Sequence, residues 1–169
     1  MLESARLLEY DPRIQVVFLG DGKEKTALQA QAVAMGLSNV CFIPSVPKEQ
    51  ITSALAAADA CVAILKPVEA YKTTYPNKVF DYMCAGRPVL LAIDGVIREV
   101  VQAADCGIFT PPGDPAALAQ AVRTLAADPA RSREMGLNGR RYVELHFNRP
   151  VLAEKLALIM EDMLLKIRT

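Results

Sequence analysis

The chain has 169 residues, 52% of them apolar and 22% charged. That is one domain, or one domain and a tail, with enough apolar material for a core and too much for a disordered chain. Nineteen Lys and Arg offset nineteen Asp and Glu, so the chain lacks the net basic character that nucleic-acid binders use.

No apolar run reaches the roughly 18 residues of a membrane span. The opening MLESARLLEY carries two acidic residues and no small-residue cleavage pattern, so it does not read as a secretory signal. It reads as a helix, with Leu2, Ala5 and Leu8 on one face. Then short apolar runs alternate with longer amphipathic stretches. The runs are Ile14 to Leu19, Val40 to Ile43, Ala60 to Leu65, Pro88 to Ile93 and, more weakly, Gly107 to Phe109. Each is about five residues long, rich in β-branched types and almost continuously apolar. That pattern predicts parallel strands buried on both faces.

Between the runs the apolar spacing is helical. Ile51, Ala54, Leu55 and Ala58 share a face, as do Phe80, Met83 and Cys84, and as do Ile97, Val100, Val101 and Ala104. Strand–helix–strand repeated four times implies an α/β, Rossmann-like doubly wound parallel sheet of about five strands with right-handed crossovers. Such a sheet ordinarily begins with a central strand. This chain begins with a helix, so the expectation is a sheet short of its first strand, or one whose gap is filled by something else.

After Asp114 the strands stop. Asp114-Pro115 predicts an N-cap followed by a first helical residue, opening the stripe Leu118, Ala121, Val122 and Leu125. Three helices are expected near 115–127, 130–145 and 150–167. Residues 1–149 then form the Rossmann-like domain. Residues 150–169 form a terminal helix with Leu152, Leu156, Ile159, Met163 and Ile167 on one stripe and Met160 and Leu164 beside it. That helix packs back on the domain or turns outward to another domain, a partner or a membrane face.

The four cysteines, at 41, 61, 84 and 106, contain no CxxC pair, and His146 is the only histidine. Zinc sites need clustered ligands, so the cysteines read as buried thiols of a reducing compartment.

In open parallel sheets ligands bind beyond the carboxyl ends of the strands. Two such ends carry information here. Gly20-Asp21-Gly22 follows the first run, but Lys25 stands where the dinucleotide fingerprint has its third glycine, so the segment is read first as a tight turn. The second is Tyr71 to Val89. Pro76 suits a first helical position, which makes Tyr75 the expected N-cap and leaves the amides of Asn77, Lys78 and Val79 free. A helix start with free amides is an anion site, and phosphate is the usual anion. Lys78 adds a cation there. Asp81, three residues on, can accept from paired sugar hydroxyls. The same residues read equally well as a solvated Lys–Asp pair.

The run Tyr75-Pro76-Asn77-Lys78-Val79-Phe80-Asp81-Tyr82-Met83-Cys84-Ala85-Gly86-Arg87-Pro88-Val89 resembles the signature of retaining glycosyltransferases of the GT-B fold, group 4. Val17 to Gly22, Ala57 to Ala60, Asp94 to Val101 and Gly107 to Asp114 resemble further segments of that family, in its order and spacing. The resemblance implies a donor nucleotide-sugar, of UDP type, held at this helix start. Asp81 would grip the ribose, although the family prefers Glu there. Asn77 and Lys78 would hold the diphosphate, because Pro76 replaces a family glycine and has no N–H. Thr73 stands where the family has an acidic residue that touches the sugar, which leaves the sugar's identity open; Thr73, Thr74 and Tyr75 would border it. Gly20 and Gly22 match the family's turn after its second strand, and Val46 a region that packs against the base. The Pro-x-Lys form is similar to transferases of bacterial surface polysaccharides.

The resemblance also implies an acceptor-binding N-terminal domain and a first strand lying before this chain, so that the chain alone is inactive. It implies no metal and no other cofactor, a cytoplasmic protein, peripheral at the inner membrane only through the full-length enzyme, and no nucleic-acid partner. Self-association through the incomplete sheet or the last helix is left open. Two alternatives are a nucleotide-sugar epimerase half, which needs acid–base groups that His146 alone would supply, and a non-catalytic interaction module. No catalytic residue is nominated.

Overall fold

The computed structural model describes residues 1–167, without the side chains of Leu165 and Ile167; the Ile167 end of the expected stripe therefore lies outside the described residues. The chain runs α1 (Leu2–Leu7), β1 (Val16–Leu19), α2 (Lys25–Ala34), β2 (Val40–Ile43), α3 (Lys48–Ala57), β3 (Cys61–Ile64), a 3-10 helix (Glu69–Thr73), α4 (Asn77–Cys84), β4 (Val89–Ala92), α5 (Val96–Ala103), β5 (Gly107–Phe109), α6 (Pro115–Ala127), α7 (Pro129–His146) and α8 (Arg149–Ile167). All five expected strands form, and the Rossmann-like α/β class holds. Every strand pairing is parallel. Among the described residues no helix is long and apolar enough to cross a membrane.

The strands make two sheets. β1 pairs only with β2, and β3, β4 and β5 form a second sheet with β4 central. This second sheet holds the core. β4 is buried along its whole length. One of its faces packs Ala63, Val89, Leu91 and Ile93 against Val79 and Met83 of α4 and Ile97, Val100 and Val101 of α5. The other packs Leu90 against Leu118, Ala121 and Leu125 of α6. Helices on both faces make the continuous apolar run of β4 necessary.

The expectation of strands buried on both faces is corrected for β1 and β2. Val17 is 49% exposed, Leu19 37% and Ile43 38%. The burial of β1 alternates along the strand, and its covered side stacks Phe18 on Phe42 with ring centroids 4.9 Å apart. The predicted face of α3 is only half-buried, and α2 buries Ala32 alone. An apolar run states that a strand can be covered, not that a layer exists to cover it.

Helix α6 begins as the sequence requires: Asp114 accepts from the Ala117 amide at 2.9 Å, with Pro115 first in the helix. Asp128-Pro129 repeats the device at α7, where Asp128 accepts from the Arg131 amide at 2.9 Å. Helix α7 then lies close against α4. A Cβ at Gly136 would come within 2.1 Å of the Gly86 carbonyl oxygen, so only glycine allows the approach. Helix α8 is different. Val151, Leu152, Leu156, Leu158, Ile159, Met160, Met163 and Leu164 are all between 44% and 61% exposed, and no described element packs extensively against it.

Candidate functional site

Because every pairing within each sheet is parallel, the strands of each sheet end along one edge. The rim segments are the β1–α2 turn, the β2–α3 turn, the long β3–α4 connection, Asp94-Gly95 after β4, and Thr110 to Gly113 after β5.

The first two are tied together. Asp21 Oδ1 accepts from Lys25 Nζ at 2.6 Å and Oδ2 accepts from the Ser45 amide at 2.9 Å, while Lys25 Nζ also reaches the Ile43 carbonyl at 3.4 Å. These bonds hold the Asp21 carboxyl well below the usual carboxylate range. Gly20 has a φ of +124°, a conformation that glycine adopts freely. Lys25, in the place of a third fingerprint glycine, thus anchors the turn. Val46 follows the Asp21–Ser45 bond directly and is half-buried, while Gly22 is exposed.

The β3–α4 connection carries the remaining nominated residues. The hydroxyls of Thr73 and Thr74 donate to the Ala70 carbonyl at 3.4 and 3.3 Å, closing the 3-10 helix. Tyr75 is exposed, with its ring 6.4 Å from Phe80, which packs in turn on Phe147 at 4.8 Å. The N-cap of α4 is Pro76, one residue later than expected: its φ of −67° suits a helix but its ψ of 121° is extended. The Val79 amide bonds back to the Pro76 carbonyl at 3.0 Å. That leaves the amides of Asn77 and Lys78, not three, open at the helix start. Val79 and Met83 bury the inner face of α4, and Asn77, Lys78, Asp81 and Cys84 lie on its exposed side. The Lys78 and Asp81 side chains do not pair with each other; neither makes a side-chain hydrogen bond or ion pair among the described residues. Both side chains are exposed and no direct ion pair joins them. A cation, two open amides and a carboxylate are held at one helix start with no internal demand on them.

A rim cleft of about 230 Å³ opens beside this segment. It is lined by Leu65 to Glu69, Tyr71, Lys72, Ile93, Asp94 and Pro112. None of the nominated site residues lines this cleft. Lys72 Nζ donates to Glu69 Oε1 at 2.8 Å. Asp94 accepts from the Gly95 amide at 2.9 Å and from Arg98 at 3.3 Å, which lowers its pKa. The sequence pattern nominated none of the side chains that line this cleft. The cleft arises where three segments well separated in the chain converge, and periodicity does not report such meetings.

His146 is exposed at the end of α7, its ring tilted against Tyr142 with ring centroids 4.4 Å apart. The cysteines are all free thiols. Cys61 and Cys106 are buried, which pushes their thiols up to about 11 and about 12; Cys41 is half-buried and Cys84 exposed, against the expectation of uniform burial. Cys84 falls on the outer side of α4, which the helical stripe with Phe80 and Met83 did not anticipate. Among the described residues no three His, Cys, Asp or Glu side chains are grouped to hold a metal ion.

The chain is 31% identical over 132 residues to the D-rhamnosyltransferase WbpZ of Pseudomonas aeruginosa, covering 77% of this chain and 34% of that protein. It superposes on the sucrose-phosphate synthase of Thermosynechococcus elongatus with a TM-score of 0.77 and 25% identity, over 98% of this chain and 42% of that one. It superposes on HepE of Anabaena, solved in complex with UDP-glucose, with a TM-score of 0.79 and 21% identity, over 95% of this chain and 44% of that one. The chain thus spans about a third of the length of the curated relative it matches. The model for Glycosyl transferases group 1 matches residues 1–128, and the chain belongs to that family.

Proposed function

We propose that this chain is the nucleotide-sugar-binding part of a retaining glycosyltransferase of the GT-B type, group 4. The reaction moves a sugar from an NDP-sugar, of UDP type, to a hydroxyl acceptor in glycan or surface-polysaccharide synthesis. The observation that carries the reading is the start of α4, where the Asn77 and Lys78 amides and the Lys78 ammonium have no protein partner and Asp81 stands one turn on.

The chemistry follows from that arrangement. Breaking the bond from sugar to phosphate leaves negative charge on the diphosphate. Open amides at a helix N-terminus, with a cation beside them, stabilise charge where it develops. Lys78 and the two amides would hold the diphosphate. Asp81 would accept from the ribose hydroxyls, and Thr73, Thr74 and Tyr75 would border the sugar. The tied turns bearing Gly20, Gly22 and Val46 would flank the base. The anions and cations are the protein's own, so no metal or other cofactor is assigned to the step. The acceptor side falls to the rest of a longer polypeptide, so the chain alone would bind donor without turning it over. The full enzyme would act in the cytoplasm, peripheral at the inner membrane through its other parts.

Calorimetric titration of the full polypeptide with UDP tests this. Binding that Asp81→Ala weakens by at least about tenfold is the expected result, since a lost hydrogen bond to a charged group is worth about 1.5–3 kcal/mol. Unchanged affinity in Asp81→Ala would sink the proposed site.

A further inference from the structure

The cleft at the carboxyl ends of β3, β4 and β5 has no part in the proposed donor site, and its walls are of two kinds. The floor is apolar: Ile93 is 2% exposed, and Leu65 packs into the same core cluster. Tyr71 forms one side. It is 40% exposed, its hydroxyl makes no hydrogen bond and its ring meets no other ring among the described residues. The remaining lining is charged. Lys72 Nζ donates to Glu69 Oε1 at 2.8 Å and lies within electrostatic reach of Asp94. The Glu69 bond, with Asp94 adding to it, raises Lys72 above the ordinary lysine value, so the ammonium is held charged beside two carboxylates. Each carboxylate keeps one oxygen in reserve. Glu69 Oε2 and Asp94 Oδ2 accept no hydrogen bond, and Lys66 Nζ has no partner, among the described residues. The wall that carries Glu69 and Tyr71 is set in advance, because the Thr73 and Thr74 hydroxyls close the 3-10 helix on the Ala70 carbonyl.

These features select a ligand. Two carboxylates oppose phosphate or any other anion. A purely apolar ligand would strip water from Lys66, Glu69, Lys72 and Asp94 and offer nothing in return. A divalent cation finds no three grouped ligands among the described residues. A pyranose ring suits both kinds of wall. Its C–H face matches an aromatic face and an aliphatic floor, and its hydroxyls donate to carboxylates and accept from ammonium groups. At about 230 Å³ the cleft is smaller than the roughly 300–1,000 Å³ of pockets that enclose drug-sized ligands, so it holds one ring.

We propose that this cleft binds one uncharged pyranose ring of a glycan acceptor, with Tyr71 against the C–H face of the ring and Glu69 and Asp94 accepting from its hydroxyls. Naming the ring as the acceptor's rests on the proposed transferase function; the sugar site itself does not. Two observations favour the acceptor over the donor's own sugar. No residue assigned to the donor lines the cleft. Yet Lys72 leads directly into Thr73 and Thr74, which border the donor's sugar under the proposed function, so a ring in the cleft lies beside the sugar to be transferred.

Nuclear magnetic resonance titration of the protein with methyl glycosides of glucose, mannose and rhamnose, with and without UDP, tests the site. At least one glycoside should bind with a Kd on the order of 1 mM. Tyr71→Ala and Glu69→Gln should each weaken that binding about fivefold to tenfold and leave UDP affinity within about twofold. The Glu69 side chain is 86% exposed, so Glu69→Gln decides alone if Tyr71→Ala does not fold. No binding of any glycoside at about ten times the expected Kd overturns the sugar site. Binding that neither variant changes overturns it too. Displacement of the glycoside by UDP-glucose, but not by UDP, assigns the ring to the donor and overturns the acceptor. A protein that binds UDP but no glycoside loses the cleft alone, whereas one that binds glycosides but not UDP loses the donor site and with it the acceptor assignment.

Discussion

Gly95, the N-cap of α5, lies directly against the backbone of Lys72 in the 3-10 helix: a Cβ on Gly95 would stand 2.1 Å from the Lys72 carbonyl oxygen. The β3–α4 connection is therefore seated on α5 by contact between main chains. Gly95 also has φ 98° and ψ −153°, a combination open to glycine almost alone. Gly95→Ala should destabilise the fold by about 2–4 kcal/mol, adding backbone strain to overpacking. Urea unfolding measures the loss. An unchanged midpoint would show that the 3-10 helix moves aside at little cost.

Lys78 has no acidic partner to lose, so its removal should leave stability nearly unchanged. Lys78→Gln is expected to shift the urea midpoint by no more than about 0.5 kcal/mol in stability. On the proposed function, the same change should weaken UDP binding by about tenfold and reduce its dependence on salt. Loss of stability without loss of affinity would mark Lys78 as structural.

Asp81→Glu is a gentler probe of the same helix. The side chain is exposed and unbonded, so an added methylene meets no packing. If the acid grips ribose, Asp81→Glu should keep UDP affinity within about threefold while Asp81→Asn loses about tenfold. Equal losses in both would separate the carboxylate from the ligand.

The Asp21 bonds set an acid sensitivity. Lys25 and Ser45 hold the folded-state carboxyl below its ordinary 3.8. Folding thus favours the ionised form, and the stabilisation is complete above pH ~4 and fades as pH falls through the lowered value. The wild-type urea midpoint should drop between about pH 5 and pH 2 more steeply than that of Asp21→Asn. Parallel curves would assign the acid loss to other carboxylates.

Thiol labelling reports the packing of α4. Cys84 is exposed, while burial keeps Cys61 and Cys106 protonated at neutral pH. Brief iodoacetamide treatment of native protein should modify Cys84 well before Cys61 and Cys106, with all four reacting in urea. Mass spectrometry of the peptides reads the order. Early modification of Cys106 would mean that α7 lifts from the sheet.

Local chemistry was legible and cross-chain geometry was not. Asp114-Pro115 announced α6 because the cap and the fixed φ act within three residues. The strand runs were legible because β-branched apolar blocks leave few alternatives. Pro76 was misplaced by one position because its ring fixes φ, which helix and extended chain share, while ψ decides the boundary. The bare face of Val17 and Leu19 depends on what lies opposite, which no residue of β1 encodes. Lys72 and Asp94 escaped notice for the same reason: their cleft exists only once β3 and β4 stand side by side. Whether the Lys78 and Asp81 side chains meet was open at the residue level, because a three-residue spacing allows contact without requiring it.

The bare seam of α8 sets a practical ceiling on concentration. Leu152, Leu156, Ile159 and Met163 are spaced like the contact ridge of a two-stranded coil, and water is a poor substitute for a second strand. Preparations ending at Phe147 should stay clear under conditions where the longer piece scatters light, with the sheet-bearing portion unchanged.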